Sequence, residues 1–164
     1  MLKNEMNMNF NNFTIKSQEA IQQAFTIAQG YNHQAIEPAH LLKGIISQSE
    51  SITSFVLRKL GVNPSTFDDV VTKILESYPK VSGGNQYLSS SASRVLQKSL
   101  DFSKELGDQY VSVEHILLGL LASGDQISQM MKDAGVTEKE LKLAIAELRK
   151  GAKEIGRASC RERV

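Results

Sequence analysis

The chain has one cysteine, Cys160, in 164 residues. No internal disulfide can form, and a reducing compartment is the expected setting. It also lacks an excess of either charge: 19 basic residues stand against 18 acidic ones, a formal net of +1. A binder of phosphate backbones carries a concentrated basic stripe, so nucleic acid is not an expected partner. No apolar run approaches the ~18 residues that suggest a membrane span. The N-terminus shows no signal-peptide core either. A soluble cytoplasmic protein, away from membranes, is the expectation. A chain of this length buries about 68–70% of its unfolded surface, enough for a core without staples.

Groups that do chemistry are scarce as well. His33, His40 and His115 are the three histidines, too few and too scattered for a zinc site with cysteine partners. Gly83 and Gly84 lack the Gly-Lys-Ser/Thr of a phosphate loop, and Gly30 and Gly107 read as helix closers. Ser89, Ser90 and Ser91 precede a helix and read as a cap, not a nucleophile. The chain is expected to bind and not to catalyse, with no metal or cofactor of its own.

What the chain does have is a repeat. Glu37-Pro-Ala-His-Leu-Leu-Lys-Gly-Ile-Ile46 returns as Ser112-Val-Glu-His-Ile-Leu-Leu-Gly-Leu-Leu121, at an offset of 75 (115 − 40). At the same offset Thr14 meets Ser89, Phe25 meets Leu100 and Gln34 meets Gln109. Beyond a one-residue change in loop length, Gly61 meets Gly135, Phe67 meets Leu141 and Ile74 meets Leu148. The period exceeds the ~20–50 residues of solenoid units, so two copies of a helical module are the better reading.

Each copy reads as four helices. The first helix starts near Thr14, a capping hydroxyl, and carries Ile21, Ala24, Phe25 and Ala28 on one face. Its counterpart starts near Ser89, with Val95, Leu96, Leu100 and Phe102. The second opens at Glu37 and Pro38, proline being tolerated at the first helical position. Ser112 can cap its counterpart, and Glu114 complements the helix dipole. Short third helices, about 52–60 and 127–134, stop at Gly61 and Gly135. The fourth carry Phe67, Val70, Val71 and Ile74 in one copy, and Leu141, Ala144, Ile145 and Leu148 behind a Thr137–Glu140 capping box in the other. The fold expected is all-α, about eight helices in two pseudo-twofold-related four-helix repeats. Repeat one covers about 14–76, a turn-rich connector 77–88, and repeat two about 89–150. No strand is required. Residues 1–7 read as a non-native or disordered extension, with Met8 a plausible start, and 152–164 as a linker stub or appended tail.

Thr14 with Ala20, Ala24 and Ala28, the Glu37–Leu42 block and its copy at Val113–Leu121 resemble the Clp N-terminal domain. That module stands at the front of the AAA+ unfoldases ClpA, ClpB and ClpC, and the resemblance spans about 8–151. Glu-Pro-x-His-Leu, the Tyr78-Pro-Lys-Val-Ser connector and the ending Leu148-Arg-Lys-Gly151 are similar to the ClpB type. ClpC domains carry Glu before the histidine in both copies and use the pair to read phosphorylated arginine. Here Glu114 is present, but Ala39 takes the other place.

The resemblance implies a substrate-engaging domain of a homohexameric, ATP-dependent disaggregase that works with a DnaK-type chaperone. ATP and magnesium would belong to AAA+ domains absent from this chain, which by itself is expected to be a monomer. It would bind unfolded or aggregated polypeptides and pass them to the pore; the alternative is adaptor docking, as in ClpA- and ClpC-type protease unfoldases. Thr14, Asp108 and Glu114 are the contact residues so implied, with Tyr110 a candidate groove wall. Carboxylates at a rim can hold backbone N–H groups and flanking Lys or Arg, while an apolar floor binds without sequence specificity. Each residue also has a plain structural role open to it: Thr14 as cap, Glu114 on the helix dipole, Asp108 in a turn.

Overall fold

The computed structural model describes residues 10–48 and 52–156. The expectations for residues 1–7, for a start at Met8 and for Cys160 lie outside the described residues. Eight α-helices are present among them: α1 (Ile15–Gly30), α2 (Pro38–Ile46), α3 (Ile52–Lys59), α4 (Pro64–Ser77), α5 (Ser90–Glu105), α6 (Val113–Ala122), α7 (Gln126–Asp133) and α8 (Glu138–Gly156). The all-α expectation is met. α8 continues past Gly151, where the sequence reading turns to tail.

Local chemistry sets the boundaries. Thr14 accepts a hydrogen bond from Ser17 N at 3.2 Å, and Ser89 accepts one from Ala92 N at 3.0 Å, so α1 and α5 are capped alike. Asn63 caps α4, with Pro64 in the first turn, where a missing N–H costs nothing. α1 runs through Gly30, and the left-handed residue that ends it is Asn32 at φ 63°. Gly107 at φ 75° takes the corresponding place after α5. Gly30 is the last residue of the helix, as expected, but its own backbone is helical, and Asn32, a residue type that tolerates the left-handed region, makes the turn two residues on.

Two short parallel pairings cross between the repeats. Strand β1 (Ala35–Ile36) pairs with β2 (Tyr87–Leu88), with Ile36 opposite Leu88. Phe13 pairs with Val111 in an isolated bridge. These pairings are equivalent under the 75-residue offset, so the chain just before the first helix of each repeat locks onto the chain just before the second helix of the other. The reading that no strand is required missed these pairings because two residues are too short for any alternating pattern. They fix the repeats to each other by backbone hydrogen bonds such as Thr14 N to Val111 O, 2.9 Å, and Ser89 N to Ile36 O, 3.0 Å.

Inside, α1 packs on α2 and α5 on α6 at very short range. A Cβ on Gly44 would lie 2.5 Å from Ala20 O, and one on Gly119 2.5 Å from Val95 O. Only glycine permits such backbone approach, and both copies use it. A single core results, in which Leu42, Ile45, Leu75, Leu96, Ile116 and Leu118 are all fully buried.

Candidate functional site

The two repeat histidines are helix-capping groups. Each sits at the third position of its helix, where Glu or Gln usually completes a capping box. His40 Nδ1 accepts from Glu37 N at 2.9 Å, and His115 Nδ1 accepts from Ser112 N at 2.8 Å. With Nδ1 an acceptor, the neutral ring carries its proton on Nε2 and must donate there. His115 Nε2 donates to Asp108 Oδ2 at 2.8 Å. His40 Nε2 donates to His33 Nδ1 at 2.8 Å. His33 and Asp108 occupy the same place in the two repeats, seven residues before the capping histidine. Two of the three histidines that look scattered in sequence, His33 and His40, therefore meet as a buried pair. Among the described residues no cluster of three or more His, Cys, Asp or Glu could hold a metal.

Burial lowers the pKa of all three rings. For His40 desolvation comes first and the neighbouring His33 second, bringing it to about 4. For His33 desolvation is followed by the charge of Lys80. For His115 desolvation outweighs the opposing hydrogen bond and charge of Asp108.

Asp108 and Glu114 come together through a residue that the sequence reading did not single out. Arg149, on α8, sets Nη1 2.8 Å from Asp108 Oδ2 and Nε 3.3 Å from Glu114 Oε2. Asp108 follows the left-handed Gly107 and Glu114 lies in the first turn of α6, so the loop between α5 and α6 presents both to α8. Arg149 is the residue after Leu148 on the apolar face of its helix, and a charge beside that face was the available signal for it.

Thr14 lies against the same loop. Its N–H donates to Val111 O, and the neighbouring Ser17 hydroxyl reaches that carbonyl at 2.8 Å. The Phe13–Val111 bridge thus joins the start of α1 to the loop bearing Asp108 and Tyr110, just before Glu114 in the first turn of α6. Tyr110 is 46% exposed and Ile15 is 75% exposed, one on each side of the bridge in sequence. Ile15 was not singled out from sequence, because a β-branched residue beside a cap reads as core. The outcome is two exposed apolar residues, each within two positions of the bridge along its own segment, and two carboxylates from the same region of repeat two held by one arginine. Such a surface can take an apolar side chain and offer carboxylates to a cation, provided the cation competes with Arg149.

No helix among the described residues is long and apolar enough to cross a membrane. The family model for the Clp repeat N-terminal domain matches residues 12–134. Chaperone protein ClpB of Bacteroides thetaiotaomicron is 55% identical over 152 residues, 93% of this chain and 18% of that protein. ClpB of Porphyromonas gingivalis is 49% identical over 144 residues, 88% of this chain and 17% of that one. This chain therefore spans less than a fifth of the relatives it matches. Among solved structures, the Hsp104 N-terminal domain from Candida albicans superposes with a TM-score of 0.75 at 25% identity, covering 85% of this chain and 92% of that one. With the duplicated helices, the paired capping histidines and the crossed bridges, these matches show that the chain belongs to the Clp repeat N-terminal domain family, and it is similar to the N-terminal part of ClpB proteins.

Proposed function

We propose that this domain engages exposed apolar segments of unfolded or aggregated proteins and passes them to the pore of a ClpB-type AAA+ disaggregase. In this reading the remainder of the protein supplies the ATP and magnesium sites, the homohexameric ring and the contact with a DnaK-type chaperone. The domain itself binds without catalysing, and it works in the cytoplasm. The observation that carries the reading is the surface at the Phe13–Val111 junction. Ile15, next to Thr14, and Tyr110, next to Val111, are exposed there, and Asp108 and Glu114 each lie three residues from Val111 in the chain (111 − 108; 114 − 111). Isolated exposed apolar residues are ordinary on any protein. Two flanking one backbone junction, next to a carboxylate pair, suit weak and unspecific capture of chain that carries Lys or Arg beside apolar residues.

The test is fluorescence anisotropy of a labelled, permanently unfolded protein titrated with the 164-residue chain. Competition by short peptides follows, with an apolar centre flanked by Lys or by Asp. The reading expects micromolar or weaker binding, with Lys-flanked peptides the better competitors. Absence of binding to unfolded chain, together with a stable complex with one folded partner, would turn the reading to adaptor docking.

A further inference from the structure

The pseudo-twofold does not hold where the third helix of one repeat meets the fourth helix of the other. In one half α3 packs against α8, closed by a Lys59–Glu147 ion pair. In the other half the corresponding helices, α7 and α4, stand apart and leave a groove of about 810 Å³. That volume falls within the roughly 300–1,000 Å³ usual for ligand sites. Burial follows the same split. Val56 of α3 is 1% exposed, whereas Met130 in the matching place on α7 is only partly buried. Ala144 of α8 is 5% exposed, whereas Val70, its match on α4, is 38% exposed.

The residues exchanged between the halves explain why this side stays open. Where α3 has Ile52 and Phe55, α7 has Gln126 and Gln129; where α8 has the small Ala144, α4 has Val70. One wall of the groove is therefore apolar, with Val62, Phe67, Val70 and Ile74, and the other sets amides around Met130, Gln129 Nε2 donating one of its N–H groups to Asp133 Oδ1 at 3.0 Å. Among the described residues the single charged one lining it is Asp133, at the end of α7, where the helix dipole is also negative.

We propose that this groove is a second binding surface, for an extended polypeptide segment with apolar side chains and a neighbouring Lys or Arg. An extended segment has free backbone N–H and C=O groups, which glutamine amides can both accept from and donate to. A folded helix has spent those groups internally, so an amide wall recognises unfolded chain in preference to it. The charge at Asp133 complements a basic residue and disfavours an acidic one. The proposal rests on the client-binding reading but uses a surface separate from the Phe13–Val111 junction.

The experiment is an amide chemical-shift titration of the 164-residue chain with a reduced, carboxymethylated unfolded protein, repeated with Val70→Asp and with Gln129→Ala. Val70 and Gln129 are exposed, so neither variant threatens the fold. The expected result is shifts at Val62, Ile74 and Met130 that weaken at least tenfold in Val70→Asp, while shifts at Thr14 and Glu114 persist. A silent groove with a responsive Thr14–Glu114 surface would overturn this proposal and leave the client-binding reading standing. A responsive groove with a silent Thr14–Glu114 surface would uphold the groove and remove the first site. Groove shifts that grow with protein concentration alone would assign the surface to a second copy and overturn the proposal. Silence at both surfaces would overturn both readings.

Discussion

His40 holds its Nε2 2.8 Å from Nδ1 of His33, and in the second repeat His115 makes the same reach to a carboxylate of Asp108. One duplicated scaffold has thus fitted two different acceptors to the same capping ring. A carboxylate can balance an imidazolium, whereas a second imidazole cannot. The two halves of the domain should respond differently to acid.

The first prediction concerns pH. His40 titrates near 6.5 when unfolded and at about 4 when folded, because burial and His33 disfavour its charge. Between those values the unfolded chain binds more protons, so stability is complete above pH ~7, falls as pH drops to about 4, and is flat below. His33 and His115 are shifted in the same direction and add to the loss. Urea unfolding at pH 7 and pH 4.5 should differ by about 2–3 kcal/mol from His40 alone. His33→Asp, which copies the second repeat, should raise the His40 pKa in an imidazole NMR titration.

Glycine at the helix crossings is the second. Gly44→Ala and Gly119→Ala each place a methyl 2.5 Å from a backbone carbonyl oxygen, which no side-chain rotation relieves. Each should cost about 1–3 kcal/mol or more in urea unfolding. Gly30→Ala, with nothing within 4 Å and a helical backbone, should stabilise by about 0.5–1 kcal/mol.

Asp108 and Glu114 should separate in a third measurement. Asp108 accepts from the buried His115, so Asp108→Ala strands a ring N–H and should cost about 1–3 kcal/mol. Among the described residues Glu114 pairs with the partly exposed Arg149, and Glu114→Gln should cost at most about 1 kcal/mol. Loss of binding in Asp108→Ala therefore mixes contact with folding, and Glu114→Gln is the cleaner probe.

Arg149 yields the fourth. It occupies both carboxylates that an incoming cation would use. Arg149→Gln should strengthen binding of Lys-flanked apolar peptides several-fold in anisotropy titrations while leaving neutral peptides unchanged. Equal effects on both peptide classes would show that these carboxylates do not read charge.

Much of the fold was legible in sequence because it is written twice. The offset of 75 aligns Thr14 with Ser89, Gly44 with Gly119 and His40 with His115, and each pair performs the same task in the structure. The crossed bridges were not legible, since Phe13 with Val111 and Ile36 with Leu88 are pairings across repeats, which an alignment of one repeat on the other does not suggest. At the candidate site, Thr14 and the Asp108–Glu114 pair were named from resemblance, and local chemistry explained only the cap. Arg149 was missed because its only local signal is a charge beside an apolar face, and its partners lie 41 and 35 positions back along the chain (149 − 108; 149 − 114); Ile15 was missed because its exposure is not marked in its own segment.

The most direct test of the central claim is whether the Phe13–Val111 junction contacts unfolded chain. The 164-residue protein, with backbone amides followed by NMR, is titrated with a permanently unfolded protein, and again as Glu114→Gln. Fast-exchange shifts centred on Thr14, Tyr110 and Glu114, weakened in the variant, are the result the account predicts. Unmoved resonances at those three residues, with unfolded chain in excess, would contradict it.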